Sequence, residues 1–165
     1  MKANLTGAIA VVLLMSAATF AQTFTRYTPI HNQSNVPVAV RQAFKSAYPQ
    51  ASARGYEKVE VNGFPFYRIE SVDASTHRKI LYYPDGKVSK IEESIVATDL
   101  PTAAQKVISG EYEKAKITSA EKVTEAGQVN YQVSVKKGGK SFDLQFDAEG
   151  NLTAAREVKM NIAIH

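Results

Sequence analysis

Three histidines, His31, His77 and His165, are the side chains best suited to acid–base or nucleophilic chemistry. Nucleophilic catalysis needs a Ser, Cys or Thr beside a base that is held in a fixed orientation. The histidines lie in an N-terminal arm, a predicted hairpin and the C-terminus, and the 165-residue chain has no cysteine. The sequence also lacks the common phosphate-binding, zinc-protease and hydrolase motifs. We therefore predict surface histidines, no catalytic residues, no cofactor and a protein that is not an enzyme.

Asp143, Asp147 and Glu149 are the acidic residues that could offer oxygen ligands to a metal ion. Ca²⁺ requires six to eight oxygens from closely placed carboxylates and carbonyls. The spacing of these residues matches no established loop, and a turn explains the segment 147–151 equally well, because Asp, Asn and Gly tolerate turn angles. No metal site is predicted, and a metal-sensing module is the weaker alternative.

The elements that must position these groups come from an internal duplication. Residues 36–99 laid on residues 100–163 without a gap give 11 identities, against about four expected by chance. The predicted organisation is a signal peptide at 1–21, a leader arm at 22–35, a first repeat at 36–99 and a second repeat at 100–165.

Each repeat begins with a helix pattern and continues with strands. Pro37 and Pro101 each precede apolar residues at helical spacing, and a proline in the first turn sacrifices no hydrogen bond. Apolar and polar residues then alternate, interrupted by turn signals such as Asn62-Gly63. We predict an α+β fold of two tandem repeats, each with one N-terminal helix and about four antiparallel strands. The sheet should pack on the helices with one face.

Comparison of the repeats separates the two faces of the predicted sheet, because side chains alternate along a strand. The positions that are apolar in both repeats should face the helices: Tyr67/Tyr131, Ile69/Val133, Ile80/Leu144 and Tyr82/Phe146. Their neighbours should face outward. In the second repeat these neighbours are polar: Asn130, Gln132, Ser134, Asp143, Gln145 and Asp147. In the first repeat they include apolar residues: Phe66, Arg68, Glu70, Lys79, Leu81 and Tyr83.

The outward residues of the first repeat predict a partner-binding surface. Phe66, Leu81 and Tyr83 would bury apolar area in the partner. Arg68 and Lys79 would set its orientation and favour an acidic rim. The expected partner is an envelope protein or a peptide, and inhibition is one form that this binding could take.

Two alternatives for the same surface remain open. The leader arm, through Phe24, Tyr27 and Ile30, could fold back over the surface and complete the core. Self-association, as a homodimer or a structural envelope protein, is the other alternative. It would pair the cations of the first repeat with Asp143 and Asp147 of another chain.

The N-terminal residues have the pattern of a secretory signal peptide. Lys2 is followed by an uncharged run from Ala8 to Ala18, and a small residue at Ala21 offers a cleavage site. The run is too short to span a bilayer stably. We predict cleavage after Ala21 and a soluble periplasmic protein, with secretion to the medium as second choice. The 20 Lys and Arg and 16 Asp and Glu residues are dispersed, so neither a nucleic-acid partner nor membrane insertion of the mature form is expected.

Several short motifs carry a resemblance to a known family. They are the Leu-Pro-x-Ala start at 100–103, the Glu-Lys-Val strand at 121–123, the strand around Tyr131 and the Phe-Asp-Ala-Glu-Gly-Asn turn at 146–151. This pattern resembles the PepSY-like, beta-lactamase-inhibitor-like family, and the first repeat carries it more loosely. The resemblance covers about residues 36–159 and implies a beta-lactamase-inhibitory-protein-like fold, whose sheet presents a concave face to a partner.

Overall fold

A computed structural model describes residues 24–158, so the predicted signal peptide and His165 lie outside the described residues. Within 24–158, nine strands form one antiparallel sheet, and their order across the sheet is their order in the chain. The strands are β1 Thr25–Pro29, β2 Ser52–Val61, β3 Phe64–Asp73, β4 Thr76–Tyr82, β5 Val88–Ser94, β6 Lys116–Glu125, β7 Gln128–Lys137, β8 Lys140–Phe146 and β9 Leu152–Val158. Two α-helices complete this part of the chain, α1 Val38–Ala47 and α2 Thr102–Glu111. The predicted α+β class is confirmed.

Both helices begin directly after a proline. Pro37 and Pro101 occupy the N-cap position, with extended ψ angles of 141° and 142°. The sequence predicts each proline as the first helical residue, so both helices begin one residue later than predicted. Helix α1 ends before Tyr48, whose successor Pro49 disfavours helical geometry at the preceding residue. Each helix is ten residues long, and neither has the length and hydropathy needed to cross a membrane.

Each helix packs on its own half of the same sheet face. We call α1 with β1–β5 the first half and α2 with β6–β9 the second half. The buried core of the first half contains Val36, Val40, Phe44, Ile69, Ile80 and Tyr82. That of the second half contains Leu100, Ala104, Ile108, Ala120, Val133, Val135, Leu144 and Phe146. The residues predicted to face the helices do so, because alternation along the strands leaves only one face for the apolar set.

Equivalent elements of the two halves lie 64 residues apart, as α1 and α2 show. The predicted leader arm, residues 22–35, contributes a strand to the sheet of the first half. Its residues 25–29 form β1, which pairs with β2 much as β5 pairs with β6. The strand pattern of β1 is weak in the sequence, because the strand has only five residues and ends in Pro29. A proline is tolerated in β1 because β1 lies at the edge of the sheet.

The core of the first half contains polar residues where the second half is apolar. Ser71 and Tyr82 take the positions of Val135 and Phe146, and the Ser71 Oγ and Tyr82 Oη atoms are buried without a hydrogen-bond partner. Burial raises the pKa of the Tyr82 hydroxyl above its ordinary value of 10.0, because a buried phenolate is poorly solvated.

We expect Tyr82→Phe to raise the free energy of unfolding by up to about 1 kcal/mol at neutral pH, because it removes a buried hydroxyl that has no partner. The raised pKa also predicts a change at alkaline pH. Because the folded chain holds the Tyr82 proton more tightly than the unfolded chain, this group leaves stability independent of pH below the ordinary tyrosine pKa and lowers it as the pH rises above about 10. Urea unfolding at several pH values should show a shallower alkaline loss for Tyr82→Phe than for the native chain.

Tyr83→Phe removes an exposed phenol hydroxyl and is the matched control. It should follow the native chain at every pH. Parallel alkaline loss in the native chain and Tyr82→Phe would show that the buried hydroxyl does not contribute.

Candidate functional site

The outer face of the sheet, opposite the helices, holds all five residues predicted to bind a partner. Phe66 and Arg68 lie on β3, Lys79 and Leu81 lie on β4, and Tyr83 directly follows β4. The register sets Arg68 opposite Leu81, which puts both side chains on one face. The rings of Phe66 and Tyr83 are 5.1 Å apart between centroids and inclined by 46°. The five residues therefore form one continuous surface.

Strand β1 extends this surface and does not cover it. Tyr27 lies opposite Val59, and Val59 lies opposite Phe66, so the three side chains share the outer face. Val59 is only 3% exposed although it lies on the face away from the helices, whereas Tyr27 is 56% exposed. Ile30, after β1, packs on the core beneath the other face. We call Tyr27, Val59, Phe66, Leu81 and Tyr83 the aromatic patch.

A strip of charged side chains lies next to the aromatic patch. It crosses strands β2 to β6 on the outer face and contains Glu57, Arg68, Glu70, Lys79, Lys90, Glu92, Glu121 and Glu125. We call these eight residues the charged strip. It includes five carboxylates and three cations.

The cations of the charged strip are paired within the chain. Arg68 contacts the Glu57 carboxylate and lies 3.4 Å from Glu70, and its guanidinium carbon is 5.1 Å from the centre of the Tyr27 ring. Lys79 Nζ lies 3.9 Å from Glu92 and 3.8 Å from Glu121. The sequence predicts that Arg68 and Lys79 orient a partner with an acidic rim; in the structure each of them contacts two carboxylates of the chain itself. Apart from Glu70, which lies on β3 beside Arg68, the carboxylates come from strands β2, β5 and β6, which only the sheet order brings together.

The outer face of the second half is polar, as predicted. Ser134 Oγ donates a hydrogen bond of 2.9 Å to Asp143, and Arg156 lies 3.0 Å from the same carboxylate. A groove of about 390 Å³ lies over these residues and includes Gln132 and Gln145. Its counterpart over the first half is about 230 Å³ and is lined by Tyr27, Val59, Leu81 and charged-strip residues.

The groups considered for chemistry are not assembled into a site in the described part of the chain. Asp147 accepts hydrogen bonds from the backbone N–H groups of Glu149 and Asn151 and from the Asn151 side chain, which closes a turn. The Asn151 side-chain bond, with the backbone donors, lowers the pKa of the Asp147 carboxyl. Among residues 24–158, no three His, Asp or Glu side chains converge to hold a metal ion. His31 and His77 are exposed on separate elements.

Two contributors to the surface were missing from the sequence prediction. The sequence places Tyr27 in a leader arm whose coverage of the surface is one open alternative, and a comparison limited to β3 and β4 leaves out Val59 of β2. Val59 and Val123 are identical between the repeats, and alternation along β2 sets Glu57, Val59 and Val61 on one face. That alternation is the signal that could have identified the β2 residues.

Comparisons with known proteins agree with this architecture. A family model described as "Putative beta-lactamase-inhibitor-like, PepSY-like" matches residues 16–90 and again residues 71–154. The solved structure of a BLIP-like protein from Bacteroides fragilis is similar, with 19% identity and a TM-score of 0.61, over 78% of this chain and 92% of that chain.

A second solved structure, from Bacteroides eggerthii and described as one of the "putative periplasmic proteins", has 16% identity and a TM-score of 0.62, over 74% of this chain and 89% of that chain. No curated protein matches the sequence. At these identities the structural likeness shows the fold, which is BLIP-like.

Proposed function

Because the chain belongs to the PepSY-like, beta-lactamase-inhibitor-like family, we propose that it is an exported, non-enzymatic module that binds a protein or peptide through the outer sheet face of its first half. Inhibition of that partner is one form the binding could take. The residues proposed to contact the partner are Phe66, Arg68, Lys79, Leu81 and Tyr83.

The observation that carries the proposal is an aromatic pair on the face away from the helices, formed by the half-buried Phe66 and the exposed Tyr83. Tyr83 is 44% exposed and packs against the Phe66 ring in a tilted arrangement. Aromatic anchors dominate the binding energy of many interfaces. The patch is rigid, because its member Val59 is buried and β3 is hydrogen-bonded to a strand on each side. Little conformational entropy of the chain would therefore be lost when a partner docks.

The proposed compartment is the periplasm, reached through a signal peptide at residues 1–21, with secretion to the medium as the second choice. The description of the Bacteroides eggerthii relative supports this assignment. We further propose that residues 36–99 and 100–165 are duplicated units, each with a helix and four strands. The matching positions of their elements support the duplication.

Self-association through opposite charges has less support. Asp143 is paired with Arg156, Lys79 with Glu92 and Glu121, and Asp147 closes its own turn. These groups are already compensated within one chain, so their pairing between chains would gain little.

Capture from a bacterial envelope extract tests the proposed function. Residues 22–165 serve as immobilised bait, beside a variant with Phe66→Ser, Leu81→Ser and Tyr83→Ser. We expect a protein that the native bait retains and the variant loses, because the variant removes the apolar anchors. The melting temperature of the variant should stay within about 3 °C of the native value, since its changed side chains lie outside the helix-facing core.

The matched control changes three outer-face positions of the second half: Asn130→Ser, Gln132→Ser and Gln145→Ser. This control should retain the partner. Equal retention by all three baits, or retention by none, would contradict the proposal. A large loss of stability in the first variant would indicate that the patch completes the core instead.

A further inference from the structure

The charged strip places five carboxylates against three cations on the outer face of β2–β6. The carboxylates stay in excess when the exposed Arg54, which lines a cavity with Glu57 and Glu70, is added to the cations. On the basis of the proposed function, we infer that the partner is a basic polypeptide segment, in which an apolar side chain that packs on the aromatic patch is flanked by Lys or Arg. This is the opposite sign to the acidic rim that Arg68 and Lys79 suggest in the sequence.

The first step is that the cations of the strip are occupied. Arg68 and Lys79 each contact two carboxylates, and Lys90 Nζ lies 2.7 Å from Glu92. A partner carboxylate would have to compete with these contacts and would meet the repulsion of the neighbouring glutamates.

The second step is that the carboxylates outnumber the cations. Glu70 has a side chain that is 41% exposed, and Glu125 is exposed at the end of β6. The surplus contrasts with the chain as a whole, which carries a formal net charge of +4. A cationic group on the partner would gain attraction from the surplus carboxylates without breaking an existing pair.

The third step is that the fold does not require this surplus. The position equivalent to Glu70 in the second half is Ser134, and the position equivalent to Glu125 in the first half is Val61. The second half of the sheet therefore forms with a serine in place of Glu70, and the first half forms with a valine in place of Glu125. The negative charge is a property of this surface and not of the repeat.

The fourth step is that the strip and the patch are contiguous. Arg68 touches Tyr27 of the patch and Glu57 and Glu70 of the strip, and Leu81 lies between Arg68 and Lys90 in the register. An apolar side chain on the patch would therefore bring its flanking residues over the glutamates. Apolar anchors and complementary charges would act on one occupant.

A pair of synthetic peptides tests the inference directly. The probes are the capped pentapeptides Lys-Phe-Lys-Leu-Lys and Glu-Phe-Glu-Leu-Glu, each titrated into isotope-labelled residues 22–165 and followed by amide NMR shifts. We expect the basic peptide to shift the amides of Phe66, Glu70 and Tyr83, with an affinity that falls as salt is added. The acidic peptide should bind at least about fivefold more weakly.

A variant pair assigns the effect to the strip. Glu70→Gln with Glu125→Gln should weaken the basic peptide about fivefold, as expected for two exposed charge contacts. Glu113→Gln with Glu149→Gln removes the same charge from exposed positions off this face and should leave the affinity unchanged. Equal binding of the two peptides, no shift at the patch, or no effect of the first variant pair would each overturn the inference.

The failure of this inference can be told from failure of the proposed function. If envelope capture depends on Phe66, Leu81 and Tyr83 but the two peptides bind equally well, the proposed binding function is supported and the inference of a basic partner is wrong. If capture does not depend on those residues, the proposed function falls with it.

Discussion

Gly150→Ala should lower the free energy of unfolding by about 3 kcal/mol, because the added methyl group both meets helix atoms and requires a strained backbone angle. Gly150 has a φ of +89°, and an added Cβ would lie 2.7 Å from Pro101 Cβ and 2.8 Å from the Ala104 backbone nitrogen. The turn before β9 thus packs directly on the start of α2. The side chain would have to displace helix backbone as well as adopt a strained φ.

Gly127→Ala separates the two costs. Gly127 has a φ of +78° but no atom within 4 Å of an added Cβ, so only backbone strain should appear, about 1 kcal/mol. Gly86 is the equivalent of Gly150 in the first half and meets the Ala39 carbonyl oxygen at 2.7 Å. Urea unfolding of the variants measures the difference. Equal losses for Gly150→Ala and Gly127→Ala would show that the contact with α2 is unimportant.

Glu93→Ala should cost about 2 kcal/mol of unfolding free energy, because it removes the hydrogen-bonded carboxylate of the largely buried Arg78 guanidinium and leaves only the Asp73 carboxylate, 3.9 Å away. Arg78 has a side chain that is 14% exposed, and its Nη2 and Nε atoms lie 2.7 and 2.8 Å from Glu93 Oε1. Its Nη1 atom already has no hydrogen-bond partner. We place the cost below that of a fully buried pair because the Glu93 side chain is 31% exposed.

Removing the cation instead should be tolerated. Phe142 takes the position of Arg78 in the second half and packs on Tyr112 at 5.5 Å, much as Arg78 lies 5.1 Å from the Tyr48 ring. Arg78→Phe should therefore cost less than about 1 kcal/mol, since the new ring has a preformed contact. Urea unfolding of both variants and of the double variant measures the coupling. A larger loss for Arg78→Phe than for Glu93→Ala would contradict this account.

The sequence was most informative about the two faces of the sheet. Ile69, Ile80, Val133 and Leu144 are fully buried, as their shared apolar character in the two repeats predicts. A residue displaced by one position would move to the other face, so alternation carries strong information about burial. The start of each helix was predicted to within one residue, because a proline at the cap has no amide hydrogen to bond.

The sequence was less informative about contacts between distant strands. Arg68 pairs with Glu57, and Lys79 with Glu92 and Glu121, residues that lie up to 42 positions away along the chain. These contacts follow from the register of β2 on β3, of β4 on β5 and of β5 on β6. These contacts surround Arg68 and Lys79, on which the prediction of an acidic rim depends, with a surplus of carboxylates.

The sequence by itself determined the α+β class, the helix-facing core and the face on which Phe66, Leu81 and Tyr83 lie, because these depend on periodicity within short segments. Only the tertiary structure decided that residues 25–29 add a strand beside Val59, that Arg68 and Lys79 are paired, and that one sheet joins both halves through β5 and β6. Such features depend on which strands become neighbours and in what register. Local alternation of apolar and polar residues does not encode that choice.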